Sequence, residues 1–359
     1  MEEKKSLYDI SWQVDEPTYR ADPALSYSTL ARFKREGFNK LDSLFEQVSS
    51  PSLTFGSCVD ALITGGQEEF DKNFLVAEFP EIKPSVETMV KRLFTDWGEI
   101  HMALKDIPDD KIIALSEELA FQLNWQPKTR AKVIKEQGAE YYQLLRAAKG
   151  KTIINTDLKV EVDNAVRALR ESGATKFYFA KDNPFDKRYQ RLYQLKFKAT
   201  LEGVDYRCMA DLLIVDYEKK IIYPIDLKTS SHTEWDFWKS FIDWDYQLQS
   251  RLYWRIIRYN LDRDEYFKDF TLDDYRFIVV NKQTLTPLVW KFDDTQKMGT
   301  LEYGHDGAII SLVDPFDLGK ELHHYLTDKP KVPDNINING SNNIVEWLNK
   351  EKYVSKNSN

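Results

Sequence analysis

Cysteine is nearly absent: the 359 residues contain two, Cys58 and Cys208. Both lie in apolar segments, where a buried free thiol is the ordinary reading, and two thiols cannot supply a four-cysteine iron–sulfur cluster. Long apolar runs are missing as well. No stretch approaches the roughly 18–20 residues of a membrane span, and Met1-Glu2-Glu3-Lys4-Lys5 lacks the apolar core of a signal peptide, so the expected location is a cytoplasm without membrane attachment. No internal repeat is present. There is no basic excess either, since 50 Lys and Arg against 58 Asp and Glu leave a net charge of −8. Net charge is a sum, however, and polyanion binding depends on where the charges sit. What remains is 42% hydrophobic and 30% charged, enough to bury a sizeable core in one large domain or one domain with an elaboration.

Three regions follow one another. Residues 1–24, with Pro17 and Pro23 among polar residues, read as an N-terminal arm. Residues 25 to about 172 look mostly helical: Leu30, Phe33 and Phe38 begin an apolar face that Leu115, Leu119 and Leu144-Leu145 continue, and Pro80, Pro84, Pro108 and Pro127 break it into short helices. From Lys176 to Phe292 strands dominate. They are Phe177-Tyr178-Phe179, Leu192 to Thr200, a Glu202-Gly203 turn, Val204 to Val215, Tyr275 to Val280 and, after Pro287, Leu288 to Phe292. This order predicts an α/β fold, a mixed sheet flanked by helices, with a helical elaboration at about 80–150 and a core at about 176–292. Residues 330–359, rich in asparagine, read as a polar tail with a short helix at Val345-Glu346-Trp347-Leu348.

The chemistry concentrates in the third region. Met209 to Asp216 alternates and then turns apolar like a half-buried strand, Tyr217-Glu218-Lys219-Lys220 reads as a hairpin turn, and Ile221 to Ile225 leads into Asp226-Leu227-Lys228. Two neighbouring strands can thus bring Asp211 and Asp226 to one point. Paired carboxylates with a lysine two residues after the second suit phosphodiester hydrolysis: hard oxygens hold Mg²⁺, and an ammonium orients water or stabilises phosphate charge. A D-x-K tripeptide alone is usually solvated surface. Here it is followed by Gln249 and Tyr253, four apart on one face of a predicted helix, and the ordered set is far rarer than its parts. His323-His324 shows no acidic or cysteine partner at ligand spacing, and His232 reads as an incidental loop histidine.

With these motifs the chain resembles the PD-(D/E)XK nucleases, and among them the RecB-like and RecE-like exodeoxyribonucleases of phage and bacterial recombination. The likeness runs from about Leu25 to about Phe292, within a domain drawn at 25–329. Leu25 to Phe33 looks like the family's opening segment, and Phe55-Gly56-Ser57-Cys58-Val59-Asp60-Ala61-Leu62 fits its G-x-x-x-H-x-x-L motif with Asp60 where histidine is usual. The resemblance implies that Asp211, Asp226 and the Leu227 carbonyl bind Mg²⁺, with Mn²⁺ substituting. It makes Lys228 the residue that positions the attacking water, and Gln249 and Tyr253 supports of the site and of the DNA backbone. Asp60 is either a further metal ligand or an ordinary helix-surface acid. The implied activity is 5′-to-3′ digestion of duplex ends, in a bacterial or phage-infected cytoplasm. A homo-oligomeric ring and a single-strand annealing protein are the candidate assembly and partner. A structure-selective or restriction-type endonuclease and a catalytically silent DNA-binding module are the alternatives.

For DNA contact, residues 127–151 hold seven Lys and Arg against two acids, and residues 166–198 hold nine against three. Lys187, Arg188 and Arg191 are the DNA-binding candidates in the second stretch, against the alternative of solvated faces. Trp235, Trp238 and Trp244, between the DLK motif and the predicted helix, are candidates for stacking unpaired bases.

Overall fold

A computed structural model of the chain describes residues 4–46, 50–98, 102–182, 185, 187–305 and 308–328. Its N-terminal helices are α1 (Glu16–Ala21), α2 (Tyr27–Glu36), α3 (Pro51–Thr64) and α4 (Gly66–Asn73). The first three start on side-chain caps: Asp15, Ser26 and Ser50 accept hydrogen bonds from the backbone N–H groups of Thr18, Thr29 and Leu53. The segment read as an arm is anchored. Leu7 and Tyr19 are buried, and Leu25 forms a parallel bridge with Tyr206.

Two three-residue strands, β1 (Phe74–Val76) and β2 (Thr152–Ile154), pair in parallel. Between them lie α5 (Pro84–Trp97), α6 (Asp109–Glu118), α7 (Pro127–Gln137) and α8 (Ala139–Ala148). Pro84 and Pro127 occupy the first turns of their helices, where a missing N–H leaves no bond unmade. These four helices close over their own apolar core, including Met89, Leu93, Ile112, Ile134 and Tyr142.

After α9 (Thr156–Glu171) the chain enters the main sheet with β3 (Tyr189–Leu201), β4 (Val204–Asp216) and β5 (Ile221–Ser230). Then come α10 (Phe237–Asp243), α11 (Tyr246–Leu261), β6 (Thr271–Leu272), β7 (Arg276–Asn281), β8 (Pro287–Lys291), the hairpin of β9 (Leu301–His305) with β10 (Ala308–Leu312), and α12 (Pro315–Thr327). The sheet order is β3-β4-β5-β7-β8, with β6 also beside β5. β5 and β7 are parallel and joined through α11; the other neighbours along that path are antiparallel. At the β3–β4 turn Glu202 and Gly203 both have positive φ, 52° and 83°, which suits a tight hairpin.

Helices cover both faces. Val59 and Leu62 of α3 and Val162 and Ala165 of α9 pack on Leu212, Ile214, Ile225 and Ile278. Leu30 of α2, Leu252 and Ile256 of α11 and Phe316 of α12 join Phe197, Cys208, Leu213 and Phe277 on the other side. Leu212 to Val215 are thus buried on both faces, which explains their unbroken apolar run. Cys58 and Cys208 are free and buried.

One expected strand is absent. Residues 173–179, with Phe177-Tyr178-Phe179 among them, form turns, because the Arg191 guanidinium takes the Phe177 and Tyr178 carbonyls that a strand would offer its neighbour. Among the described residues no helix is long and apolar enough to cross a membrane. The asparagine-rich segment and its expected helix at 345–348 lie outside the described residues.

Candidate active site

The antiparallel ladder between β4 and β5 runs from Asp216↔Ile221 to Leu212↔Ile225 and stops. The next row would set Asp211 opposite Asp226. Instead the Leu227 N–H donates to Asp211 Oδ2 at 2.9 Å, so a side-chain carboxylate accepts where a strand carbonyl otherwise would. Beyond that point β5 continues through Lys228 to Ser230 alongside β7, and β4 continues alongside β3. The two central strands therefore fork, and the acidic residues stand at the fork.

Asp226 is 1% exposed. Its Oδ1 accepts from Gln249 Nε2 on α11, and Lys228 Nζ lies 2.6 Å from Oδ2. Alternation along β5 puts Asp226 and Lys228 on one face, and the ammonium also sits 4.9 Å from the centre of the Tyr246 ring. Burial works against the charged lysine, but Asp226, with Tyr246, Tyr27 and Asp211, outweighs it and holds the ammonium above its usual range.

Asp60 arrives from the opposite side on α3. Gly56, one turn earlier, lets that helix close on β5, since a Cβ there would lie 3.1 Å from Thr229 Oγ1. Gln194 Nε2 on β3 donates to both Asp60 carboxylate oxygens, at 3.2 and 3.1 Å. Burial first, then the charges of Asp226 and Glu16, push the Asp60 carboxyl up to about 7 against the pull of Lys228 and Gln194. Burial, followed by Asp226 and Asp60, pushes Asp211 well above the carboxylate range. Three acids thus repel one another in a poorly hydrated place, with one ammonium among them.

The remaining candidates are placed differently. Leu227 pairs with Ile278 of β7, its N–H engaged by Asp211. Tyr253 is only 7% exposed and packs in the core 6.3 Å from the Tyr275 ring. Arg188 pairs with Asp216 at 2.9 Å and Glu218 at 3.2 Å. Arg191 pairs with Asp182 at 2.6 Å, so these two guanidiniums act as clamps within the fold, while Lys187 is exposed. In the other basic stretch Arg130 is buried against Ser116, and Lys135 pairs with Asp109. Trp235 and Trp244 are 84% and 51% exposed. His324 does have an acidic partner, Asp328, one helical turn on and 2.6 Å away on the exposed face of α12; this corrects the reading that none lay at such spacing.

Sequence reasoning missed Gln194, Tyr27, Tyr246 and Glu16. A polar residue in a strand and tyrosines beside apolar runs carry no signal of this kind; only the folded register groups them.

The donor set fits a hard divalent cation in character: carboxylate oxygens, a buried Asp226 Oδ2 that has the Lys228 charge nearby but no directed hydrogen bond, and a buried Gln249 Oε1 without a partner. Among the described residues no three His, Cys, Asp or Glu side chains are already gathered as a metal cage.

No protein-family model matches the chain, and no curated protein matches it. Among solved structures, it is similar to the crystal structure of the "Putative exonuclease" from Eubacterium rectale, with 15% sequence identity over 88% of this chain and 83% of that one and a TM-score of 0.39.

Proposed function

We propose that the chain is a Mg²⁺-dependent deoxyribonuclease of the PD-(D/E)XK type, acting from DNA ends. The observation that carries this reading is the fork: Asp211 and Asp226 adjoin where β4 and β5 part, with Gln249 hydrogen-bonded to Asp226 and Lys228 ion-paired with it. Asp211 and Asp226 would hold the ion, with Asp60 as the third acid. When bound, Mg²⁺ activates water and neutralises phosphate charge.

The side chains divide the remaining work. Lys228, held as an ammonium, serves as a donor that orients the attacking water or meets charge building on the phosphate; it is not poised to take a proton. Gln249 fixes Asp226 Oδ1 and so leaves Oδ2 for the ion or Lys228. In-line displacement of the 3′ oxygen would leave a 5′-phosphate.

Linear duplexes labelled at either end, a closed circle and a single strand, each with Mg²⁺ and with EDTA, test the reading. Digestion of the linear duplex alone, lost in Asp226→Asn, is the expected result. Cutting of the closed circle would make it an endonuclease, and full activity in Asp226→Asn would refute the site.

A further inference from the structure

Both β3 and β4 change the face they present at one row. On β4, Tyr206, Cys208 and Ala210 belong to the core beneath α11, and so do Leu213 and Val215, although strict alternation would assign that face to the even positions throughout. On β3, Leu195, Phe197 and Ala199 join the same core, whereas Tyr193 lies with α3 and α9. The reversal falls on Gln194 and Asp211. Tyr193↔Leu212 and Leu195↔Ala210 pair on either side, and the row between is missing from the ladder.

Gln194 accommodates the reversal with φ +54°, inside a thirteen-residue strand. A residue with a Cβ is strained there, and glycine would hold the same backbone freely. The position nevertheless carries an amide whose Nε2 spans both Asp60 oxygens. An amide also suits the task chemically, because it fixes a carboxylate without cancelling the charge that a cation needs. Strain kept at such a place, together with a bidentate contact, points to function.

We propose that Gln194 is a positioning residue that holds the Asp60 carboxylate beside Asp211 and Asp226, so that Asp60 contributes to divalent-cation capture. This rests on the nuclease reading above.

The test is Mn²⁺ calorimetry and metal-free thermal unfolding of the full chain, in Gln194→Gly, Gln194→Asn, Asp60→Ala and the Gln194→Gly/Asp60→Ala double variant. Glycine keeps the left-handed backbone without the amide; asparagine tolerates it but withdraws the amide by one methylene. Both should unfold near the wild-type temperature, with Mn²⁺ affinity reduced roughly 10-fold or more, as for other residues that orient a metal ligand. In the Asp60→Ala background, Gln194→Gly should change the affinity no further. Wild-type affinity in both single variants would overturn the proposal, and so would an equal loss whether or not Asp60 is present. Should Gln194→Gly fail to fold, Gln194→Asn decides on the same criterion. Absence of Mg²⁺-dependent cleavage of any DNA by the wild type would instead strike the nuclease reading, an outcome independent of the calorimetry.

Discussion

Replacing Asp211 by Asn and by Ala separates its two roles. Both changes remove the ionisable carboxyl whose charged form burial, Asp226 and Asp60 oppose, so that effect is common to both. They differ at the Leu227 N–H, 2.9 Å from Asp211 Oδ2. Asparagine keeps an acceptor there, whereas alanine orphans a part-buried donor, at a cost of about 1–3 kcal/mol. With a urea m-value of about 3 kcal/mol/M, the alanine variant should unfold about 0.3–1 M earlier than the asparagine variant in metal-free buffer. Both should lose cleavage by orders of magnitude. Equal midpoints would show that Asp211 does not hold the strands apart, and an Asp211→Asn protein that cleaves normally would remove it from the chemistry.

Lys228→Met should slow single-turnover cleavage roughly 10²–10³-fold, the scale for losing one transition-state donor, while DNA affinity measured in Ca²⁺ changes little. Gly319→Ala should destabilise by about 1–3 kcal/mol, as overpacking does, because a Cβ there would lie 2.1 Å from Tyr206 Oη; urea unfolding reads the loss, and the metal dependence of cleavage should not move. Burial raises the Asp216 carboxyl, but Arg188 and the N–H groups of Lys219 and Glu218 more than offset it and leave it below the usual range. Its stabilisation is therefore full above the unfolded value of about 3.9 and fades as pH falls through the lower folded value. Unfolding from pH 7 to pH 3 should show wild type ahead of Asp216→Asn at neutral pH, with the gap closing at the acid end.

The placement of the strands was legible where the pattern was local. Residues 204–230 carry a two-residue period, a polar turn and a second apolar run, and that suffices to bring Asp211 and Asp226 to neighbouring strands. Helix periodicity likewise placed Gln249 and Tyr253 four apart on α11, but spacing does not tell a residue at the rim from one in the core, and Tyr253 is in the core. Counting lysines and arginines likewise does not tell which of them are already paired. Arg188 and Arg191 are matched by acids and carbonyls that only the fold brings near, and the capture of two carbonyls by Arg191 also turned the aromatic run at 177–179 away from the sheet. Gln194 left no trace in sequence, since its importance lies in a backbone angle and a partner on another element.

The narrow join between β1 and β2 has a consequence of another kind. Phe74 faces Thr152, and the Ala77 N–H reaches the Ile154 carbonyl at 2.9 Å, so the chain departs and returns at nearly the same spot. The helices α5 to α8 bury their own apolar residues, whereas the fork is assembled from α3, β3, β4, β5 and α11. In construction terms the join is a socket. A cargo of four helices hangs from it, and because closing a loop depends only weakly on its length, the segment can lengthen, shrink or be exchanged during descent while the acidic fork keeps its dimensions.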